Sequence, residues 1–289
     1  MDDLYVQTPL LKSEPLSKEV GVPIYLKMEA LQPSGSYKDR GLILLMSDYV
    51  AKGLNSFITA SCGNAGVSLA HSCRVYKSQL KVVVPINTPE LMKEKMAQMG
   101  AEIIVHGDNF ESAEIKAKAI AAKDKITFVN SQNDPLIFEG ISTIIYEIFG
   151  AGLKPGAIVL SVGCGDLLAG IIQGLHSCQW GDIPLITAET EDYCEFATAR
   201  FAEQTHAKNI IPEVFNMIQN HTLYSEIVTK RAAFSASQSF ANDHRVLVEP
   251  ALAASLAVIY QNLPLLKTFS SVLCIVSGGS NVNLSTFKA

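Results

Sequence analysis

Ser34-Gly35-Ser36-Tyr37-Lys38-Asp39-Arg40-Gly41 lies between an apolar, strand-like run, Pro23-Ile24-Tyr25-Leu26-Lys27-Met28, and an apolar stretch of helical character, Leu42 to Met46. A turn of small residues opening onto a helix puts Lys38 in the first helical turn. There the positive end of the helix dipole disfavours a second positive charge. The spacing predicts a lysine of lowered pKa, especially if partly desolvated, with more of the free amine that covalent carbonyl chemistry needs. Spacing alone favours a solvated lysine beside Asp39 and Arg40, and the other stretches of the chain decide against it.

The surrounding chain has 289 residues, enough for one large or two ordinary domains. With 48% hydrophobic and 18% charged residues it is neither disordered nor highly solvated. A net charge of -5 offers no general attraction to nucleic acid or anionic membranes. The six cysteines, Cys62, Cys73, Cys164, Cys178, Cys194 and Cys274, form no CxxC pair, which argues against a zinc site or a disulfide framework. Met1-Asp2-Asp3 carries acid where a secretory signal carries base, and apolar runs stop short of membrane-spanning length. The expectation is a cytoplasmic protein without a membrane segment.

Short β-rich runs alternate with helical stretches. Strands are predicted at Phe57–Ser61, Lys81–Pro85, Glu102–His106, Thr127–Asn130, Ala157–Val162, Pro184–Glu189, Val246–Glu249 and Val272–Ser277. Helices are predicted at Ala65–Tyr76, Pro89–Gln98, Glu111–Ala122, Pro135–Phe149, Leu167–Cys178 and Arg231–Asp243. The apolar runs at Lys81–Pro85 and Ala157–Val162 suit parallel strands buried on both faces. The alternation implies right-handed βαβ units and an α/β fold whose ligands bind beyond the carboxyl ends of the strands.

Those ends carry distinctive loops. Ser61-Cys62-Gly63-Asn64-Ala65-Gly66 joins a hydroxyl, an amide and two glycines at the start of a helix, where backbone N–H groups suit a carboxylate. Gly163-Cys164-Gly165-Asp166 is a second strand-to-helix turn that suits a phosphate, although its spacing misses the dinucleotide fingerprint. Glu189-Thr190-Glu191-Asp192 is an acidic group able to hold a cation or simply to be solvated. Glu249-Pro250-Ala251 places proline at a first helical turn. Ser277-Gly278-Gly279-Ser280-Asn281 sets a hydroxyl beside two glycines. Helix capping accounts equally well for several of these residues.

Together with Thr8-Pro9-Leu10-Leu11 and Tyr25-Leu26-Lys27-Met28-Glu29, these motifs resemble the L-serine dehydratase / L-threonine ammonia-lyase family, among the fold-type II pyridoxal-phosphate enzymes. The resemblance implies two open twisted, mostly parallel sheets with helices on both faces and the cofactor in the cleft between domains. It places a large cofactor-binding domain at residues 1–35 and 136–289 and a small substrate domain at 36–135. Lys38 would carry pyridoxal phosphate as a Schiff base and later take the substrate α-proton. Tyr37 matches an aromatic residue, usually phenylalanine, that lies against the ring. Ser61, Cys62, Gly63, Asn64 and Ala65 would bind the substrate carboxylate, with Ser61 the proton donor to the leaving hydroxyl and Asn64 a contact of the ring hydroxyl. Gly163, Cys164, Gly165 and Asp166 would line the phosphate, and Glu189 would bind a monovalent cation such as potassium. Ser277 would face the pyridine nitrogen, and a neutral hydroxyl there favours β-elimination over full carbanion chemistry.

The implied reaction converts L-serine to pyruvate or L-threonine to 2-oxobutanoate, with release of ammonia, in a catabolic homodimer that lacks a C-terminal regulatory domain. Alternatives are β-replacement on another hydroxyamino acid and a non-catalytic member that binds a cofactor or metabolite. The chain departs from the family in three places. Gly163-Cys164-Gly165-Asp166 stands for a glycine tetrad, so Cys164 should point away from the phosphate. Asp166 should either repel it or turn to solvent as a helix cap. The residues after Glu189 are acidic and bulky rather than small and neutral, and the stretch from Phe201 to Glu226 is short and aligns poorly.

Overall fold

The coordinates are a computed structural model that describes residues 5–192, 194, 196–197, 212–219 and 221–287. The strands are Leu10–Lys12 (β1), Ile24–Lys27 (β2), Ser56–Ala60 (β3), Gln79–Val84 (β4), Glu102–Val105 (β5), Thr127–Phe128 (β6), Ala157–Ser161 (β7), Leu185–Thr190 (β8), Leu223–Val228 (β9) and Val272–Ile275 (β10). They build a six-stranded sheet, β1-β2-β10-β7-β8-β9, and a four-stranded sheet, β5-β4-β3-β6. β1 pairs with β2 antiparallel, and the other strand pairings are parallel. Every strand of the smaller sheet falls within residues 36–135, and every strand of the larger falls outside them.

Burial on both faces explains the unbroken apolar run of β7. Ile158 and Leu160 join the core of Lys38–Ala51 (α2), Pro135–Gly150 (α6) and Asp166–Ser177 (α7). Ala157 and Val159 face the opposite core, with Glu14–Val20 (α1), Lys230–His244 (α9) and Ala254–Tyr260 (α10). The smaller sheet is likewise covered, by Asn64–Val75 (α3) and Glu90–Gln98 (α4) on one side and Phe110–Asp124 (α5) on the other. Pro212–Ile218 (α8) packs on α7. The α/β class and its mostly parallel sheets are as expected.

Two glycines set how closely α2 meets α6. A Cβ at Gly41 would lie 2.7 Å from the Ile137 carbonyl oxygen, and one at Gly140 would fall on the Arg40 carbonyl. Backbone therefore meets backbone one turn beyond Lys38. Asp134 caps α6 by accepting from Leu136 N at 2.9 Å, and Pro135 occupies the first helical position.

The predicted strand at Val246–Glu249 does not form. These residues are irregular and lead into a 3-10 turn at Pro250–Leu252. The Val248 carbonyl accepts the Ser237 hydroxyl instead of a ladder N–H, so β-branched composition here served burial rather than pairing. The edge strands β1 and β9 were not among the predicted strands. β9 emerges from the poorly aligned stretch, whose residues 201–211 lie outside the described residues.

Candidate active site

Lys38 is the first residue of α2, so the spacing located it correctly. The loop before it is strapped to the segment after β10: Tyr37 N donates to Ser277 O at 3.0 Å, Gly279 N donates to Gly35 O at 2.9 Å, and the Ser280 hydroxyl donates to Ser34 O. Gly35 has φ +85 and lies too close to Ser280 for a side chain. The start of α3 is tied to the same place, because Ser68 donates to Asp39 Oδ1 at 2.6 Å. Asp39 Oδ2 in turn accepts Ser34 N at 2.8 Å.

The ionisation of Lys38 departs from expectation. Its side chain is 11% exposed and forms an ion pair with Asp166, whose side chain is 1% exposed. Burial acts to lower the lysine pKa, but the Asp166 carboxylate, with smaller contributions from Cys164 and Tyr37, holds it well above the ordinary lysine range. The helix dipole effect is thus overridden by one opposite charge in a desolvated setting. Burial acts to raise the Asp166 carboxyl, yet Lys38, Cys164 and Tyr37 keep it below the ordinary carboxylate range.

Asp166 is the first residue of α7, after the N-cap Gly165, and its side chain takes one free amide of the first turn, Leu167 N at 2.9 Å. It does not turn to solvent. Tyr37 OH donates to its Oδ1 at 2.9 Å, and Cys164 Sγ lies 3.2 Å from the same oxygen. Cys164 is turned toward Lys38 (Sγ to Nζ 3.9 Å) rather than away from the site. Lys38 Nζ also lies 5.4 Å from the centre of the Tyr37 ring. Burial, then Asp166, push the Cys164 thiol up to about 11.

The loop after β3 forms the second wall. Ser61 Oγ accepts Gly66 N at 2.9 Å and keeps only a long contact, 3.5 Å, for its own proton to Gly63 O. A Cβ at Gly66 would strike Met96 Sδ and lie 3.0 Å from Ser61 Cβ, so only glycine lets α3 close on this hydroxyl. Cys62 is exposed, and Ala65 is half-buried in the first turn of α3. Asn64 donates from Nδ2 to Glu249 Oε1 at 2.8 Å, and Asn281 N donates to Glu249 Oε2 at 2.8 Å. Glu249, a residue the sequence reading left out of the site, therefore bridges the loops after β3 and β10. Its only signal was its place after an apolar run.

Ser277 is fully buried, and among the described residues its Oγ has no hydrogen-bond partner, nor has Asn64 Oδ1. Glu189, in β8 and 2% exposed, accepts Phe196 N at 3.0 Å and Ala197 N at 2.7 Å. Among the described residues no group of three or more His, Cys, Asp or Glu side chains is arranged to hold a metal ion.

A family model described as pyridoxal-phosphate dependent enzyme matches residues 1–278. The chain belongs to this family. Among pyridoxal-phosphate dependent enzymes, it is 36% identical over 311 residues to the human L-serine dehydratase/L-threonine deaminase, covering 100% of this chain and 95% of that one. It is also 36% identical over 315 residues to an L-serine dehydratase of Dictyostelium discoideum, covering 97% and 90%. A fungal L-serine ammonia-lyase from Rhizomucor miehei superposes with TM-score 0.90 at 29% identity, over 99% of this chain and 98% of that one. Maize serine racemase, at 21% identity and TM-score 0.88, shares the fold.

Apart from Asp166, the residues present fit pyridoxal phosphate. The unpartnered Ser277 hydroxyl and Asn64 carbonyl oxygen are buried polar atoms that a bound heterocycle would satisfy. A Cβ at Gly63 or Gly163 would meet nothing within 4 Å, so backbone at both loops borders open space. The first amides of α7 have no partner within their own helix, apart from the one Asp166 takes. The carboxylate of Asp166 is the one discordant element of the cradle.

Proposed function

We propose that the chain eliminates the β-hydroxyl of a small hydroxyamino acid, converting L-serine to pyruvate or L-threonine to 2-oxobutanoate with release of ammonia. The observation that carries this reading is the buried Lys38 amine at the strand ends, tied through Ser277 and Asp39 to the loops on either side. The names of its relatives point the same way.

Bound pyridoxal phosphate supplies an electron sink that acidifies the hydrogen on the amino-acid α-carbon. The chain's own residues do the rest. Lys38 Nζ takes the α-proton as general base, for which its own proton must first leave. Backbone N–H groups at Asn64 and Ala65, at the start of α3, bind the substrate carboxylate. The Ser61 hydroxyl, weakly held on its proton side, delivers a proton to the leaving β-hydroxyl. Glu249 fixes the Asn64 amide with its carbonyl oxygen unpartnered. Ser277 Oγ, buried and without a partner among the described residues, would offer the ring nitrogen a neutral dipole. Gly163, Cys164, Gly165 and Asp166 would line the phosphate end, and Tyr37 would stand beside the ring.

The same reading includes division into residues 1–35 with 136–289 and 36–135, a cytoplasmic homodimer, and potassium at Glu189. Sedimentation and a comparison of activity in potassium and sodium check the last two. One side-chain methyl separates serine from threonine, a difference of about 1 to 3 kcal/mol in a pocket. The Lys38–Asp166 pair favours a second reading, a member that binds cofactor or metabolite without catalysis.

The test is the visible spectrum of the purified chain with excess pyridoxal phosphate, followed by keto-acid assays with both amino acids. We expect a cofactor band that Lys38→Ala abolishes, and keto-acid release from at least one substrate. No band at saturating cofactor sinks the reading, and a band without turnover selects the second.

A further inference from the structure

The carboxylate of Asp166 sits where an anion from outside the chain would bind. α7 is 12 residues long and offers its amino-terminal N–H groups and dipole to negative charge, and Asp166 is its first residue. Asp166 takes the Leu167 N–H for itself. It is wholly buried, and three side chains from two segments converge on it: Tyr37 OH, Lys38 Nζ and Cys164 Sγ. So complete a set of donors holds the carboxylate inward and ionised instead of leaving it to rotate out. The Lys38 cation is matched by this one anion, which leaves the pair electrically neutral.

Resting on the functional reading above, we propose that Asp166 determines this chain's specificity for the anionic tail of its cofactor, so that the site takes pyridoxal phosphate weakly and with little preference over pyridoxal. The amino-terminus of α7 is already answered by the Asp166 carboxylate, whose charge Lys38 balances, so a doubly charged phosphate brought there finds no unmatched cation and meets a like charge nearest to it. At about 4 Å such repulsion changes a binding constant tenfold or more even at high local dielectric. Pyridoxal has the same ring and aldehyde but a neutral hydroxymethyl tail, and it meets no such opposition.

The experiment compares the two aldehydes by equilibrium dialysis against the full-length apoprotein, in the wild type, Asp166→Asn and Asp166→Gly. Either substitution also deprives Lys38 of its counter-ion, but that acts on both ligands through the common aldehyde. With the pyridoxal Kd counted on its open aldehyde, since the free hydroxymethyl closes on that aldehyde as an internal hemiacetal, the ratio of the pyridoxal Kd to the pyridoxal phosphate Kd isolates the tail. We expect a wild-type ratio below about tenfold and an increase of about tenfold or more, about 1.4 kcal/mol, in both variants. Inorganic phosphate, as a competitor of pyridoxal phosphate, should bind the variants more tightly by a similar factor.

A ratio unchanged within twofold in both variants overturns the proposal. So does a wild type that already prefers the phosphorylated form by a thousandfold, a result readable even if neither variant folds. Failure of the functional reading looks different. A saturated wild type that makes no keto acid counts against elimination while the ratio still decides the role of Asp166. No Lys38-dependent binding of either aldehyde sinks both.

Discussion

Lys38 holds its charge because two effects of burial oppose each other. Desolvation works against the ammonium, and the same desolvation magnifies the attraction of Asp166, which wins. The folded lysine pKa is raised and the folded Asp166 pKa is depressed. The pair's contribution to stability is therefore present between the ordinary carboxylate and lysine ranges. It is lost as pH falls through the Asp166 value and as pH rises through the Lys38 value. Asp166→Asn leaves the ammonium buried and unbalanced, so Lys38 should release its proton at lower pH. Measured against pH, its rate of reaction with pyridoxal should show a midpoint shifted downward. An unmoved midpoint would mean that Asp166 does not govern this amine. Ser61→Ala, in contrast, should cost about 10²- to 10⁴-fold in kcat with little change in cofactor Kd, if its proton goes to the leaving group. The thiols differ too. Burial raises both the Cys62 and the Cys164 thiols, but Cys164 is also turned onto Asp166 whereas Cys62 is exposed, so iodoacetamide should label Cys62 ahead of Cys164, as peptide mapping would reveal.

At the scale of elements, the position of Lys38 depends on how α2 lies on α6. Gly41 and Gly140 allow that approach, and a methyl group at Gly140 has no room beside the Arg40 carbonyl. Gly140→Ala should destabilise the protein by about 1 to 3 kcal/mol, read as a lowered denaturation midpoint, because backbone must shift to admit it. Loss of the α6 cap in Asp134→Ala should cost about 1 kcal/mol and leave cofactor binding unchanged, since its side chain bonds the local Leu136 amide. Elements with a strong apolar run were legible: β3, β7 and β10 lie where such runs end in glycine-bearing loops, and β4 lies where one ends at Pro85. Val246–Glu249 misled because an apolar β-branched run records burial, whereas a strand also needs a free sheet edge. β9 was the converse, an edge strand of mixed polarity without an unbroken apolar run.

Across the whole molecule, a buried ionic cluster anchors the lysine-bearing helix to the larger sheet. Arg40 meets Glu29 through two bonds of 2.7 and 2.8 Å, and it meets Glu147 at 2.6 and 2.9 Å. Lys27 also pairs with Glu147 and donates to Thr8 O at 2.6 Å. Two cations thus balance two anions across β2, the Glu29–Leu31 turn that follows it, α2 and α6. Removing one partner strands the others, so Arg40→Ala should cost about 3 to 5 kcal/mol, seen as a large fall in Tm. Burial acts to raise the Glu29 carboxyl, but Arg40, Thr8 and Lys27 hold it below the ordinary range. Its contribution is therefore present at neutral pH and disappears as pH falls through the folded value, which predicts acid sensitivity that Arg40→Ala largely removes.

The amino-acid sequence alone determined the alternating α/β order, the gathering of loops beyond the strand ends and the place of Lys38 at a helix start. Those features arise from periodicity and turn chemistry acting over a few residues. Tertiary structure alone decided what Lys38 faces. Asp166 lies 128 residues away in the chain, and Glu249 joins Asn64 across 185. A charge in a desolvated site answers to the field of whatever the fold brings within a few ångströms, and that field has no counterpart in local spacing.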